Sequence, residues 1–235
     1  MIVTIDGPAG AGKSSAAREL AKRLNYHFLD TGAMYRAVVW AARKANVSWD
    51  DANAIAEVAR STNIELKGDC VQVDGKDVST EIRGTEVTSL IHHVADNPQV
   101  RRHLANLQRS MGSQGNYVTE GRDQGTVVFP DADCKIFLTA SAEERARRHW
   151  QNLHQRGELV TLDDVLQGQY LRDQRDRQRE VGRLVPADEA IHVNTDGMTL
   201  EAVVDRLEEI VRECRRPKKN RRTKTPYNKD RSENR

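Results

Sequence analysis

The sequence predicts an α/β fold: a five-stranded parallel sheet with helices on both faces, to which a small antiparallel insertion and an arginine-rich helical segment are added. Three observations carry that prediction. Short apolar, strand-like runs alternate with helical stretches along most of the chain. The alternation breaks at one cluster of short period-two segments around Asp74-Gly75. The first strand also runs straight into a glycine-bearing loop followed by a helix-period run. Alternating strands and helices fold as parallel sheets because every crossover has to lie against a face of the sheet.

Ile2-Val3-Thr4-Ile5 is dominated by β-branched residues and reads as a buried strand. Ala16, Ala17, Leu20, Ala21 and Leu24 then recur at helical spacing. Between them lies G-x-x-x-x-G-K-S: Gly7, Pro8, Ala9, Gly10, Ala11, Gly12, Lys13 and Ser14, with Ser15 following. Glycines let the backbone curl until successive amides point into one concavity, and the helix N-terminus behind adds partial positive charge. Lys13 can then reach β/γ-phosphates and the Ser14 hydroxyl can ligate Mg²⁺. A turn that binds nothing is the plain alternative, but it does not call for the whole motif in strand–loop–helix context. The stretch reads as a nucleotide-phosphate site.

Residues 26–30 are a second strand, ending in the polar run Asp30-Thr31-Gly32-Ala33-Met34-Tyr35-Arg36. A helix over 34–46 follows, with Val38, Val39 and Ala42 inward, and another over 51–62 with Asp50 or Asp51 as N-cap. Ile64-Glu65-Leu66, Val71-Gln72-Val73 and Val78 alternate about Asp74-Gly75, a type I′ hairpin signal. The inserted unit continues through Ile82-Arg83, a helix over 85–95 and Asn97-Pro98, and a helix over 99–111 leads back. Residues 117–119, 135–138 and 190–193 are the remaining core strands, and a helix over 200–211, N-capped by Thr199, closes the fold. Ligands of such sheets gather at the carboxyl ends of the strands, where the unusual polar residues fall.

Residues 143–183 are rich in arginine. Arg145, Arg147, Arg148 and His149 share one helix; Arg172, Arg175, Arg177 and Arg179 share another, interleaved with Asp173 and Asp176. Residues 157–162 between them have the composition of a hinge. Alone, the run reads equally as a solvated face laced with ion pairs. With a phosphate loop in the same chain, the reading of a lid that closes over phosphates gains. The segments are therefore core (1–62), insertion (63–98), core (99–142), lid region (143–183), core (184–211) and tail (212–235).

Charge is uneven. Of 37 Lys/Arg and 35 Asp/Glu, eleven and three fall in residues 212–235, leaving an acidic body and a basic, unpatterned tail. Such a tail is read as disordered, either an inert extension or a salt-sensitive contact to nucleic acid, and no function is built on it. No apolar run is long enough to cross a bilayer, and no leader is read. Cys70, Cys134 and Cys214 are far apart and suit reduced thiols of a cytoplasmic protein. The adjacent His92 and His93 should point about 100° apart on a helix, which argues against a shared metal. Trp40, Trp49 and Trp150 read as packing residues, and Asp163-Asp164 as a helix start. An Asn-Lys-x-Asp guanine motif is missing from the body, so a kinase of a small phosphorylated acceptor fits better than a GTPase.

Over roughly residues 1–211 the sequence resembles the bacterial-type cytidylate kinases, within the P-loop nucleoside monophosphate kinases. The resemblance rests on residues 5–14, on Leu29-Asp30-Thr31-Gly32-Ala33-Met34-Tyr35-Arg36, and on the run Gly121-Arg122-Asp123-Gln124-Gly125-Thr126 with Phe129-Pro130-Asp131-Ala132. Residues 135–141 and 172–179 match as well. It implies that ATP phosphorylates CMP or dCMP with Mg²⁺, in pyrimidine nucleotide metabolism, by a cytoplasmic monomer with the insertion as nucleoside monophosphate-binding unit. It implies catalytic roles for Lys13, Arg122, Asp123 and Arg148, the last covering the ATP base or phosphates. Arg36, Arg122 and Arg179 would grip the CMP phosphate, Arg101 and Asp123 the cytosine, and Thr31, Arg172 and Asp176 the sugar and nearby phosphate. Ser14 and, through water, Glu120 would hold the metal. Three positions depart from the family: His92 stands at a usual serine, Arg183 at a proline before Leu184, and His149 in a run of arginines. The His92 change bears on cytosine contacts and on discrimination against UMP. The alternatives are a kinase for UMP, AMP or shikimate, and a non-catalytic, nucleotide-sensing RNA-binding protein using the tail.

Overall fold

The computed structural model describes residues 1–155 and 157–216. The tail read from residue 212 begins later, because the closing helix continues to Cys214 rather than stopping at 211, and residues 217–235 lie outside the described residues. Five parallel strands, β1 (Ile2–Asp6), β2 (His27–Asp30), β6 (Tyr117–Gly121), β7 (Cys134–Thr139) and β8 (Ile191–Asn194), form one sheet in the order β2-β6-β1-β7-β8. The register pairs Ile5 with Glu120 on one side and Ile136 on the other. The phosphate loop thus leaves the central strand, with the ends of β6 and β7 beside it.

Two cores clamp this sheet. On one side α1 (Lys13–Leu24) and α8 (Leu200–Cys214) bring Leu20, Leu207 and Ile210 against Val3, Ile5, Val118 and Ile136. On the other, α2 (Thr31–Lys44), α3 (Ala52–Ser61), α4 (Thr85–Ala95) and α5 (Pro98–Gly112) bury Met34, Val38, Ile55, Val94 and Leu104. The antiparallel strands β3 (Ile64–Lys67), β4 (Cys70–Val73) and β5 (Lys76–Asp77) seal this second core with Ile64, Val71 and Val73. Asp74 and Gly75, at φ 50° and 80°, make the turn that the hairpin signal requires.

Local starts follow the sequence closely. Asp51 caps α3 by accepting from the Ala54 amide at 2.9 Å, and Thr199 caps α8 through Ala202 at 3.2 Å. Thr161 and Asp164 form a reciprocal capping box on α7 (Leu162–Gln178), so Asp163-Asp164 is a helix start. One boundary moves: α2 begins at Thr31 rather than Met34. Asp30 accepts from the Ala33 amide at 2.8 Å, and this cap starts the helix three residues early. Trp40 and Trp49 pack on the second core, and the Trp150 indole donates to the Val160 carbonyl at 3.0 Å. His92 and His93 do not diverge as the helical wheel predicts. Their ring centroids lie 4.0 Å apart, with Trp49 5.5 Å beyond His93, because the side chains lean together where the wheel counts only Cβ directions. No helix among the described residues is long and apolar enough to cross a membrane.

Candidate active site

A cleft of about 590 Å³ opens at the carboxyl ends of β1, β2 and β6. Its floor is the loop from Ala9 to Ser15 and the start of α1, and its far wall is a cluster of arginines. Gly7 and Pro8 do not line it. Gly7 has φ 150°, and a Cβ there would run into the Leu138 carbonyl oxygen, so this glycine seats the loop against β7. Pro8 contributes its carbonyl, which accepts from Lys13 Nζ at 2.7 Å. The lysine is buried, and burial, followed by the nearby Arg122 charge, pulls its pKa down to about 7. An anion beside it would favour the charged form.

Asp6, at the end of β1, escaped the sequence reading. Its two oxygens accept from the Gln124 and Gly125 amides at 2.9 and 2.7 Å, tying the central strand to the turn that follows β6. Burial pushes its pKa up to about 7 against those hydrogen bonds. An acid ending a buried strand, directly before the glycine loop, was the available signal. The turn it holds runs from Gln124 to Val128 with π-helical spacing, and it fixes the neighbouring Arg122 and Asp123.

The far wall is built around Asp176 of α7, which is 1% exposed. It accepts from Arg122 Nε at 2.7 Å and pairs with Arg179. Burial alone would raise its pKa, but Arg122, Arg179 and Arg172 together hold it below the ordinary carboxylate range. Arg172 is pulled down to about 10 by enclosure and then by Arg122. Arg36 reaches the cleft from α2, 3.5 Å from Asp30, and its buried Nε has no partner among the described residues. Thr31 also lines the cleft, donating its hydroxyl to the Glu120 carbonyl at 2.7 Å. Cations outnumber acids here, and the excess positive charge suits an anionic ligand.

Arg101 and Asp123 form a buried pair, Nη2 to Oδ2 2.6 Å, at 4% and 5% exposure. Arg101 also donates to the Ala95 carbonyl at 2.9 Å and lies over the Tyr35 ring at 5.3 Å. On the loop side, Ser14 Oγ donates to Glu120 Oε1 at 2.9 Å. A hydroxyl and a carboxylate beside a phosphate loop are hard oxygen donors, and this pair fits Mg²⁺.

The arginine-rich segment divides. Arg148 of α6 (Ala142–Gln155) lines the cleft with His149, its guanidinium held by Glu144 and by the Thr195 hydroxyl and carbonyl. Arg145 is a buried strut, bonded to the Ala9 and Ala140 carbonyls and paired with Asp173 at 2.8 Å. Arg147 pairs with Glu144 on the surface. Helical spacing told which residues share an element, but not which side of it meets the loop. His92 lines a neighbouring cavity of about 430 Å³ between α4 and α7 rather than the main cleft, and its Nδ1 lies 2.9 Å from the Ser89 carbonyl.

A family model described as cytidylate kinase matches residues 3–213. A cytidylate kinase of Rhodopirellula baltica is 50% identical over 91% of this chain and 93% of its own length. One from Desulfitobacterium hafniense is 45% identical over 87% and 90%. A solved protein from Eubacterium ventriosum shares the fold at 11% identity, with a TM-score of 0.50 over 90% of this chain and 98% of that one.

Proposed function

The chain belongs to the cytidylate kinase family, and from that premise we propose that it transfers the γ-phosphoryl group of ATP to the phosphate of CMP or dCMP, giving ADP and CDP or dCDP. Its relatives favour neither another acceptor nor a non-catalytic RNA-binding role. The acceptor nucleophile is already an anionic oxygen, so no strong general base is required. Alignment, and neutralisation of charge spread over the transferring group, suffice.

The observation that carries the reading is the cleft that joins the glycine loop to the arginine cluster. ATP lies along residues 9–15, with Lys13 on its β/γ-phosphates and Arg148 over the nucleotide. Arg36, Arg122 and Arg179 clasp the CMP phosphate, where guanidinium forks match phosphate oxygens two at a time. Arg172, Asp176 and Thr31 serve the sugar and adjoining phosphate. Arg101 and Asp123 face the base, offering a donor and an acceptor to cytosine's edge. Ser14 and, through water, Glu120 would hold Mg²⁺, which when bound neutralises phosphate oxygens. We take the enzyme to act as a cytoplasmic monomer. A coupled assay over CMP, dCMP, UMP and AMP tests the function. Turnover is expected for the first two well above the others, and its absence with both would remove the reading.

A further inference from the structure

The chain returns from α7 to β8 through residues 179–190, and this connection passes against the Arg101–Asp123 pair at Gly182. Two bonds hang this loop on the helix end. The Leu184 amide donates to the Asp176 carbonyl at 2.8 Å, and Arg183 Nε donates to the Arg179 carbonyl at 2.8 Å. Leu184 is buried and pins the far side. Between these anchors Gly182 adopts φ +73°. A Cβ there would stand 2.5 Å from Arg101 Nε, and nearer still to Arg101 Nη2 and Asp123 Oδ2.

Those atoms are not free side-chain ends able to swing aside. Arg101 and Asp123 are both about 95% buried, and Arg101 is held on two more sides by the Ala95 carbonyl and the Tyr35 ring. Its Nε is buried without a partner among the described residues, and the bare backbone of Gly182 is what lies against it. Only a residue without a side chain lets the loop settle here while the pair keeps its 2.6 Å contact.

We infer that Gly182 is a positioning residue for acceptor-base discrimination: its bare backbone presses on the Arg101–Asp123 pair and sets the pose that this pair presents to the base. The inference rests on the proposed base-facing role of Arg101 and Asp123. Cytosine and uracil differ on one edge by a reversal of donor and acceptor, so discrimination depends on where a single donor–acceptor pair stands. The same loop hangs from the carbonyls of Asp176 and Arg179, so base pose and phosphate clasp are set from one helix end.

The test is Gly182→Ala, with Gly68→Ala as control. Gly68 has φ +62° with nothing within 4 Å of its would-be Cβ, so it carries the backbone strain without the contact. For Gly182→Ala, KM for CMP should rise about tenfold and the CMP:UMP ratio of kcat/KM should fall about tenfold. Its kcat and its KM for ATP should hold, and Gly68→Ala should match the wild type. An unchanged ratio and KM, or a loss in kcat equal for both acceptors, would overturn the inference. If Gly182→Ala does not fold, Leu184→Ala gives the same reading without adding an atom at 182, because it removes the buried side chain that pins the loop over the pair. A fallen ratio then supports the inference and an unchanged one overturns it. Wild-type protein inert toward CMP would overturn the functional reading and the inference with it. An active wild type with an unaltered variant would overturn the inference alone.

Discussion

The two halves of the cleft bind the same kind of group by opposite means. The floor is one continuous stretch, residues 9–15, the loop and the start of α1, with Lys13 and Ser14 the side chains that count. The wall draws Arg36 from α2, Arg101 from α5, Arg122 and Asp123 from beyond β6, and Arg172, Asp176 and Arg179 from the end of α7. Local backbone geometry makes the floor, and removing one side chain leaves its amides in place. The wall exists only while distant elements are docked, and one buried acid, Asp176, keeps its cations together.

That contrast can be broken or sharpened experimentally. The largest effect should come from Asp176→Ala. It leaves Arg122 without its acid and Arg179 with Asp96 alone, and should cost about 3–5 kcal/mol of stability in a urea titration. Added CMP should return part of the loss, since its phosphate restores negative charge. Next, Lys13→Ala should lower kcat by about 10²–10³-fold while calorimetric affinity for CMP holds within about threefold. A large loss of CMP affinity would mean that floor and wall are not separate. Arg122→Met should reduce kcat/KM for CMP by about ten- to a hundredfold with KM for ATP nearly unchanged, and unaltered CMP kinetics would place the acceptor elsewhere.

The smallest effect is a proton. Lys13 is held at about 7 in the free protein, against an ordinary 10.5. At pH 8 it is mostly neutral until a triphosphate raises its pKa, so ATP binding should take up close to one proton. Affinity should weaken as pH climbs from 7 toward 10. Calorimetry in two buffers of different ionisation enthalpy reads this directly, and Lys13→Ala should abolish it.

How much of this was legible follows from the range of the interactions involved. The strand order of types, the hairpin at Asp74-Gly75 and the caps at Asp51 and Thr199 depend on residues a few positions apart. Arg145 and Arg148 look equivalent on paper. One became a strut under Ala9 and the other faces the cleft, because the outcome depends on which side of α6 meets the loop. Asp6 went unread for the same reason, as its partners at 124 and 125 are brought to it by the pairing of β1 with β6.

By itself the sequence determined the phosphate loop, the α/β alternation and the residue types able to hold a second anion, all written in contiguous or periodic patterns. Only the tertiary structure decided which arginines converge, which acid gathers them, and that the loop at Gly182 lies over the Arg101–Asp123 pair. One of those contacts, between Arg101 and Gly182, joins residues 81 positions apart. No local spacing rule reaches that far, because it is the closing of the sheet and the docking of α7 that bring them within a bond's length.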